Sequence, residues 1–176
     1  QDMYFSDYAV TNETVGIPSE AVKTLAENDA VESVSTTRLS VFMPGAGDIL
    51  PFETDLSVQS HETLQLVNVD EAQLQIYAPN LSAQDKQALK DGTGCLVKNP
   101  IAFSYGDTTV QQTDLTVGDT IQLGDRTLPV LGLIDTAITI NNDGFTNGVQ
   151  LIVNDEIYCS LLGNDSYSEV YPTLQD

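Results

Sequence analysis

The sequence predicts an α+β fold with mixed sheets and a few short helices. Three observations carry this. Residues 117–137 read as a hairpin: Ile121 and Leu123 alternate with Thr120 and Gln122, and Gly124-Asp125 turns the chain. Leu128, Val130, Leu131, Leu133 and Ile134 then form a richer apolar run, expected to be more buried than the first strand. Residues 4–42 read as strand, helix, strand, a βαβ-like opening. Asn154 starts a further helix, with Asp155 and Glu156 in its first turn and Gly163 as its stop.

In chain order, residues 4–11 read as a first strand and 15–18 as a turn. Ser19 is the expected N-cap of a helix with Glu20 in its first turn and Ala21, Val22, Leu25 and Ala26 at helical spacing, stopped by Asn28-Asp29. Residues 31–42 follow as a strand and 43–48 as a loop, while 49–60 show no clear period. Residues 62–69 alternate, with Leu64, Leu66 and Asn68 on one face of a strand. Asp70-Glu71 starts a helix through Leu74 and Tyr77 that ends before Pro79, because the residue before Pro avoids helical angles. Ser82 caps a helix through Leu89, with Asp85 at the capping-box distance.

Asp91-Gly92-Thr93-Gly94 ends that helix and marks the expected seam between two parts. Residues 95–98 read as a buried strand, and 103–109 as strand around a Tyr105-Gly106-Asp107 turn. Asn141-Asn142-Asp143-Gly144 is a tip, 145–153 a strand broken at Asn147-Gly148, and 167–174 a last strand that Pro172 demotes to an edge or bulge.

At 176 residues the chain is long enough for a real core, and 41% hydrophobic with 18% charged residues describes a folded protein. The formal net charge is -20 with six Lys and Arg, and each half of the chain carries an equal share. Phosphate contacts need Lys and Arg, so nucleic acid is excluded as a partner, and an anionic membrane surface would repel the chain. No apolar run reaches the ~20 residues that span a bilayer. Cys95 and Cys159 are the two cysteines. Both sit among apolar neighbours and are favoured as free thiols, although a bridge in an oxidising compartment stays open.

Val117-Gly118-Asp119, Ile121 and Leu123, then Val130, Gly132, Leu133 and Asp135, resemble the extracytoplasmic domain of FtsX/MacB-type ABC transporter permeases. Leu151-Ile152-Val153, Tyr158 and Leu161-Leu162-Gly163 are similar to that family's strand and short helix, and Gly94-Cys95-Leu96-Val97 to its upstream strand. The resemblance implies a porter-like α/β subdomain from residues 1–90 and about 165–176, and a β-rich subdomain from 91–164. It implies transmembrane helices on both sides of the chain, with this part outside the cell membrane. ATP would then be hydrolysed by a separate nucleotide-binding subunit or domain. It also implies a role in passing on conformational change or in handling a peptide, lipid-linked or cell-envelope substrate. The first and last strands should lie near each other.

Catalytic signatures are absent. There is no GxxxxGK[ST], GxGxxG or GxSxG. The single His, His61, near Ser57 and Asp55, reads as a surface residue at a strand start. Carboxylates abound, but no Trp is present to stack a sugar, so a hydrolase is disfavoured. The tip at 141–144 lacks the full spacing of a calcium loop and reads as a polar turn, with adventitious calcium left open. Tyr4, Phe5, Tyr8, Tyr77 and Phe103 serve equally as a partner face or as strand packing. No catalytic, metal-binding or cofactor-binding residue is expected. The reading is a non-enzymatic extracellular transporter domain; the alternative is a free secreted binding or adhesion module.

Overall fold

A computed structural model of the chain describes residues 10–11, 16–58, 62–100, 103–105, 108–110, 113–138, 140 and 148–175. The elements are β1 (Val10–Thr11), α1 (Ser19–Ala26), β2 (Val31–Phe42), β3 (Thr63–Val69), α2 (Glu71–Tyr77), α3 (Ala83–Asp91) and β4 (Cys95–Lys98). They continue as β5 (Phe103–Tyr105), β6 (Thr108–Val110), β7 (Thr120–Leu123), β8 (Arg126–Leu133), β9 (Gly148–Ile152), α4 (Asp155–Leu162) and β10 (Glu169–Leu174).

Eight strands form one mixed sheet in the order β1-β10-β2-β3-β9-β4-β8-β7, and β5 pairs with β6 apart from it. The pairs β3–β9 and β4–β8 are parallel; the others are antiparallel. The α+β expectation holds. The βαβ-like opening is split, because β10 from the end of the chain lies between β1 and β2. The four strands from β1 to β3 in the sheet come from residues 10–69 and 169–174, and the four from β9 to β7 from residues 95–152.

Both faces of the central strands are covered. On one face Leu64 and Leu66 of β3, Val149 and Leu151 of β9, and Cys95 and Val97 of β4 pack with Ile157 and Tyr158 of α4 and with Phe52. On the other, Val67, Ile152 and Leu96 pack with Leu74 and Tyr77 of α2 and Leu89 of α3. The strand expected over 62–69 is found as β3, and with both faces covered its first six residues are all buried. Its polar side chains are paired: Gln65 Nε2 donates to Thr63 Oγ1 at 3.0 Å, and Gln150 Nε2 of β9 donates to Gln65 Oε1 at 2.7 Å. A buried polar group with a partner avoids the cost of lost hydration.

The 120–133 hairpin is a sheet edge, not the centre. Ile121 and Leu123 are fully buried while Leu133 is 45% exposed, so the second strand is not the more buried one. The reason is that Leu131 and Leu133 point to a face that the helices cover incompletely. The free side of β7 is blunted by the connection between β2 and β3: Gly124 N donates to Glu53 O at 2.7 Å and Gln122 N to Asp55 Oδ1 at 2.9 Å. This shields an edge that could otherwise pair with another chain.

Three helices are capped where the sequence places the caps. Asp70, Ser82 and Asn154 accept from the backbone N–H of Gln73, Asp85 and Ile157. The fourth differs. Pro18 is the N-cap of α1, and Ser19 instead donates to Asp165 Oδ2 at 3.0 Å. A distant partner, brought in by β10, takes the hydroxyl away from local capping. Pro172 lies opposite Val34, next to a register shift between Thr173 and Leu174 and beyond the two residues that β1 covers.

Both cysteines are free; Cys95 is buried and Cys159 half-buried. Burial pushes the Cys95 thiol from about 9 up to about 12. The folded chain therefore keeps this proton at a pH where the unfolded chain loses it. Stability from this group is full below about pH 9 and is lost as the pH rises toward 12, by up to about 4 kcal/mol. Urea midpoints at pH 8 and pH 11 should fall more for the parent chain than for Cys95→Ala. Equal falls would show that Cys95 does not drive the alkaline loss.

Candidate functional site

Two strands that are central, adjacent and parallel end at the same place. The register runs from Thr63 opposite Gly148 to Val67 opposite Ile152. After β3 the chain turns at Asp70 into α2, whose Leu74 and Tyr77 pack on one face. After β9 it turns at Asn154 into α4, whose Ile157 and Tyr158 pack on the other face. Where successive connections leave to opposite faces, the carboxyl ends of the strands open into a crevice, and open sheets bind ligands there.

The crevice is a groove of about 670 Å³. Asn68, Val69, Asp70 and Glu71 line it from the end of β3, and Val153 to Glu156 from the end of β9. α3 contributes Lys86, Gln87 and Lys90, and Tyr167 closes the floor with Thr36. Asp70 is held in place: Oδ1 accepts from Gln73 N at 3.0 Å, and Oδ2 accepts from Thr36 N at 2.9 Å and from Ser35 Oγ. Asn154 ties two walls together, its Oδ1 accepting from Ile157 N at 2.8 Å and its Nδ2 donating to Lys90 O at 2.9 Å. Lys86 Nζ donates to Gln75 Oε1 at 3.1 Å.

Arg38 of β2 lies beneath the groove with its side chain 5% exposed. Its Nη1 donates to Asn68 Oδ1 at 2.8 Å and reaches Asp155 Oδ1 at 3.5 Å. Nε and Nη2 both donate to Asp165 O, at 3.2 and 3.0 Å, and the guanidinium stands 3.9 Å over the Tyr167 ring. The planar fork of Arg suits this set of partners, and Lys would not reproduce it. Asn68 Nδ2 in turn donates to Val153 O at 3.0 Å. One buried cation thus holds together β2, β3, the start of α4 and the loop into β10. Beside it, burial raises the Tyr158 hydroxyl above its ordinary value, opposed by its hydrogen bond with Ser40 and by Arg38.

At the rim, Arg126 Nη2 pairs with Glu156 Oε1 at 2.6 Å. Four of the six cationic side chains of a -20 chain therefore gather at this place: Arg38, Lys86, Lys90 and Arg126.

The sequence marks none of these residues as a binding site, although it names Asp70, Glu71 and Asn154 to Glu156 as helix starts. Their signal is the pair Val69-Asp70-Glu71 and Val153-Asn154-Asp155-Glu156, two strand ends that each lead into a cap and acidic first turn, together with two lysines four apart. Of the residues it does weigh, Tyr77 is 7% exposed in the core, so it is no part of a partner face. Asp55 is spent on the β7 edge. His61, the side chain of Phe103, the 141–144 tip and Tyr4, Phe5 and Tyr8 lie outside the described residues. Among the described residues no group of three or more His, Cys, Asp or Glu side chains could hold a metal ion.

No protein-family model and no curated protein matches the chain. Among solved structures, the extracellular domain of the noncanonic ABC-type transporter YknZ from Gram-positive bacteria aligns over 92% of this chain and 74% of that one. The TM-score is 0.53 at 11% identity. The chain has the fold of an ABC-transporter extracellular domain. The periplasmic region of MacB from Actinobacillus actinomycetemcomitans aligns over 95% of this chain and 67% of that one, at 11% identity and a TM-score of 0.48. No helix among the described residues is long and apolar enough to cross a membrane.

Proposed function

We propose that this chain is the extracellular domain of an ABC-transporter permease and acts without catalysing a reaction. It passes conformational change from membrane helices outward, or handles a peptide, lipid-linked or cell-envelope substrate. ATP hydrolysis belongs to a separate nucleotide-binding subunit or domain.

The observation that carries this reading, beyond the shared fold, is how the first and last strands meet. Val10 pairs with Val170 and Thr11 with Glu169, antiparallel. The chain therefore comes in from the same pole toward which it leaves after Leu174, which lies opposite Val31 at the start of β2. Two membrane helices reached from one pole fit such a body. β2 has twelve residues, so at roughly 3.3 Å per residue its far end stands about 40 Å from that pole. β2, paired along its length with β10 and β3, would be the arm of a lever.

The boundary near residue 91, with its return near 165, is proposed to separate two working parts. What supports this division is that the strands of each part lie side by side in one half of the sheet, the halves meeting at the parallel β3–β9 pair.

The coding sequence around this chain supplies the test. Apolar segments of about 20 residues are expected on both sides, since a helix at 1.5 Å per residue needs that length to cross the hydrocarbon. A parent protein with no such segments overturns the reading and leaves a secreted module in its place.

A further inference from the structure

We propose that the groove at the carboxyl ends of β3 and β9 binds a short zwitterionic peptide, its carboxylate held by Lys86 and Lys90 and its ammonium by Glu71 and Asp155. The inference stands on the groove itself and does not depend on the parent protein being a transporter.

Three observations lead to it. The first is place: a switch point between adjacent parallel strands, with helices departing to opposite faces. The second is room, since about 670 Å³ falls within the range of small-ligand sites. The third is charge. The lining carries Asp70, Glu71, Asp155 and Glu156 against Lys86 and Lys90, with Arg38 on Asp155 and Arg126 on Glu156. Four carboxylates thus meet four cations, on a chain that elsewhere is overwhelmingly negative.

That local balance selects the ligand class. A net anion is repelled by the field of a -20 chain before it reaches the two lysines. A net cation meets the lysines at the groove and carboxylates without them elsewhere on the surface. A ligand with both signs at its two ends gains from both walls. The walls are also prepared. Lys86 and Lys90 lie one helical turn apart on α3, and Lys86 is already steadied by Gln75. Asn154 fixes the end of α3 against the start of α4, so the two charged walls keep their spacing without a ligand. Glu71 and Lys90 are exposed, while Asp155 keeps 80% of its side chain open despite Arg38.

The test is an amide-shift titration of the isotope-labelled chain with four probes: trialanine, N-acetyl-trialanine, trialanine amide and inorganic phosphate. Trialanine is expected to move the signals of residues 68–71, 86–90 and 153–156. Blocking either end should weaken binding about tenfold or more, and phosphate should bind more weakly still. Lys90→Gln and Glu71→Gln, both at exposed positions, should each weaken trialanine while leaving the rest of the spectrum unchanged. Acetylated peptide or phosphate binding as well as trialanine would make this an anion site and overturn the proposal. Equal binding of the amide would make it a cation site, with the same consequence. Unmoved groove signals at saturating trialanine would show that the groove takes no such ligand.

Discussion

Gly148→Ala is expected to destabilise the fold by about 3 kcal/mol or more, the largest effect of any glycine substitution in the sheet. A Cβ at this position would stand 2.5 Å from the carbonyl oxygen of Thr63 and closer still to its hydroxyl. Thr63 is 2% exposed in the central strand β3 and directly opposite Gly148 in the parallel register. Retreat is limited, because β3 is paired with β2 from Leu64 onward and β9 with β4 from Gln150 onward, one and two residues further along. Overpacking a core by a methyl group costs about 1–3 kcal/mol where side chains absorb it, and more where the obstacle is backbone. Gly132→Ala is the control. Its Cβ would meet Leu81 Cδ1 at 3.2 Å and Leu96 Cδ2 at 3.4 Å, the mobile ends of two side chains, and about 1 kcal/mol or less is expected. Urea unfolding of the two variants beside the parent decides it. Adding Thr63→Ala to Gly148→Ala should return part of the loss, since the hydroxyl contact goes and the carbonyl contact stays. A Gly148→Ala midpoint equal to the parent's would mean that the two strands do not approach as closely as described.

Arg38→Met is expected to cost about 2–4 kcal/mol, since acceptors that lose their donors cost about 1–3 kcal/mol each and the one charged partner, Asp155, stays open to solvent. The cut leaves the buried Asn68 Oδ1 without its donor and Asp165 O without two. It also takes the cation from over the Tyr167 ring. Arg38→Lys should recover little, although it keeps the charge. An ammonium on a flexible stem cannot reach Asn68 in one direction and Asp165 O by two donors in another while lying flat on the ring. Thermal unfolding of both variants measures the loss. A lysine variant as stable as the parent would show that Arg38 contributes charge alone, and the account of a planar hub would fall.

Much of the local structure was legible before any coordinates. Asp70, Ser82 and Asn154 stand as caps where their short acceptors precede helical runs, and Gly92 and Gly163 end helices with positive φ of 77° and 73°. The 31–42 strand is found with the expected ends. The approach of the first and last strands was expected from the resemblance, and Val10–Thr11 do pair with β10. These signals act over a few residues, so a sequence displays them. Ser19 marks the limit of the same logic. Its hydroxyl is a good local cap, but Asp165, 146 residues away, takes it once β10 is in place.

The groove was not legible, for the same reason. Lys86 and Lys90 look like the solvated face of a surface helix, and Arg38 looks like an outward residue of an irregular strand. What makes them a site is that β9, drawn from late in the chain, inserts between β3 and β4. No periodicity announces that insertion, because parallel strand pairing is chosen by which apolar faces and side chains fit across some eighty residues of separation.

By itself, then, the amino-acid sequence determined the α+β class, the helix ends, the heavy negative charge and the lack of catalytic signatures, all of which follow from composition and neighbours within about one turn or one hairpin. Tertiary structure alone decided the strand order, the burial of Gln65, Asn68 and Gln150 among hydrogen-bond partners, and the gathering of four cations around one crevice. Those outcomes depend on long-range packing, in which a polar or charged residue becomes interior only after distant strands have supplied it with a partner.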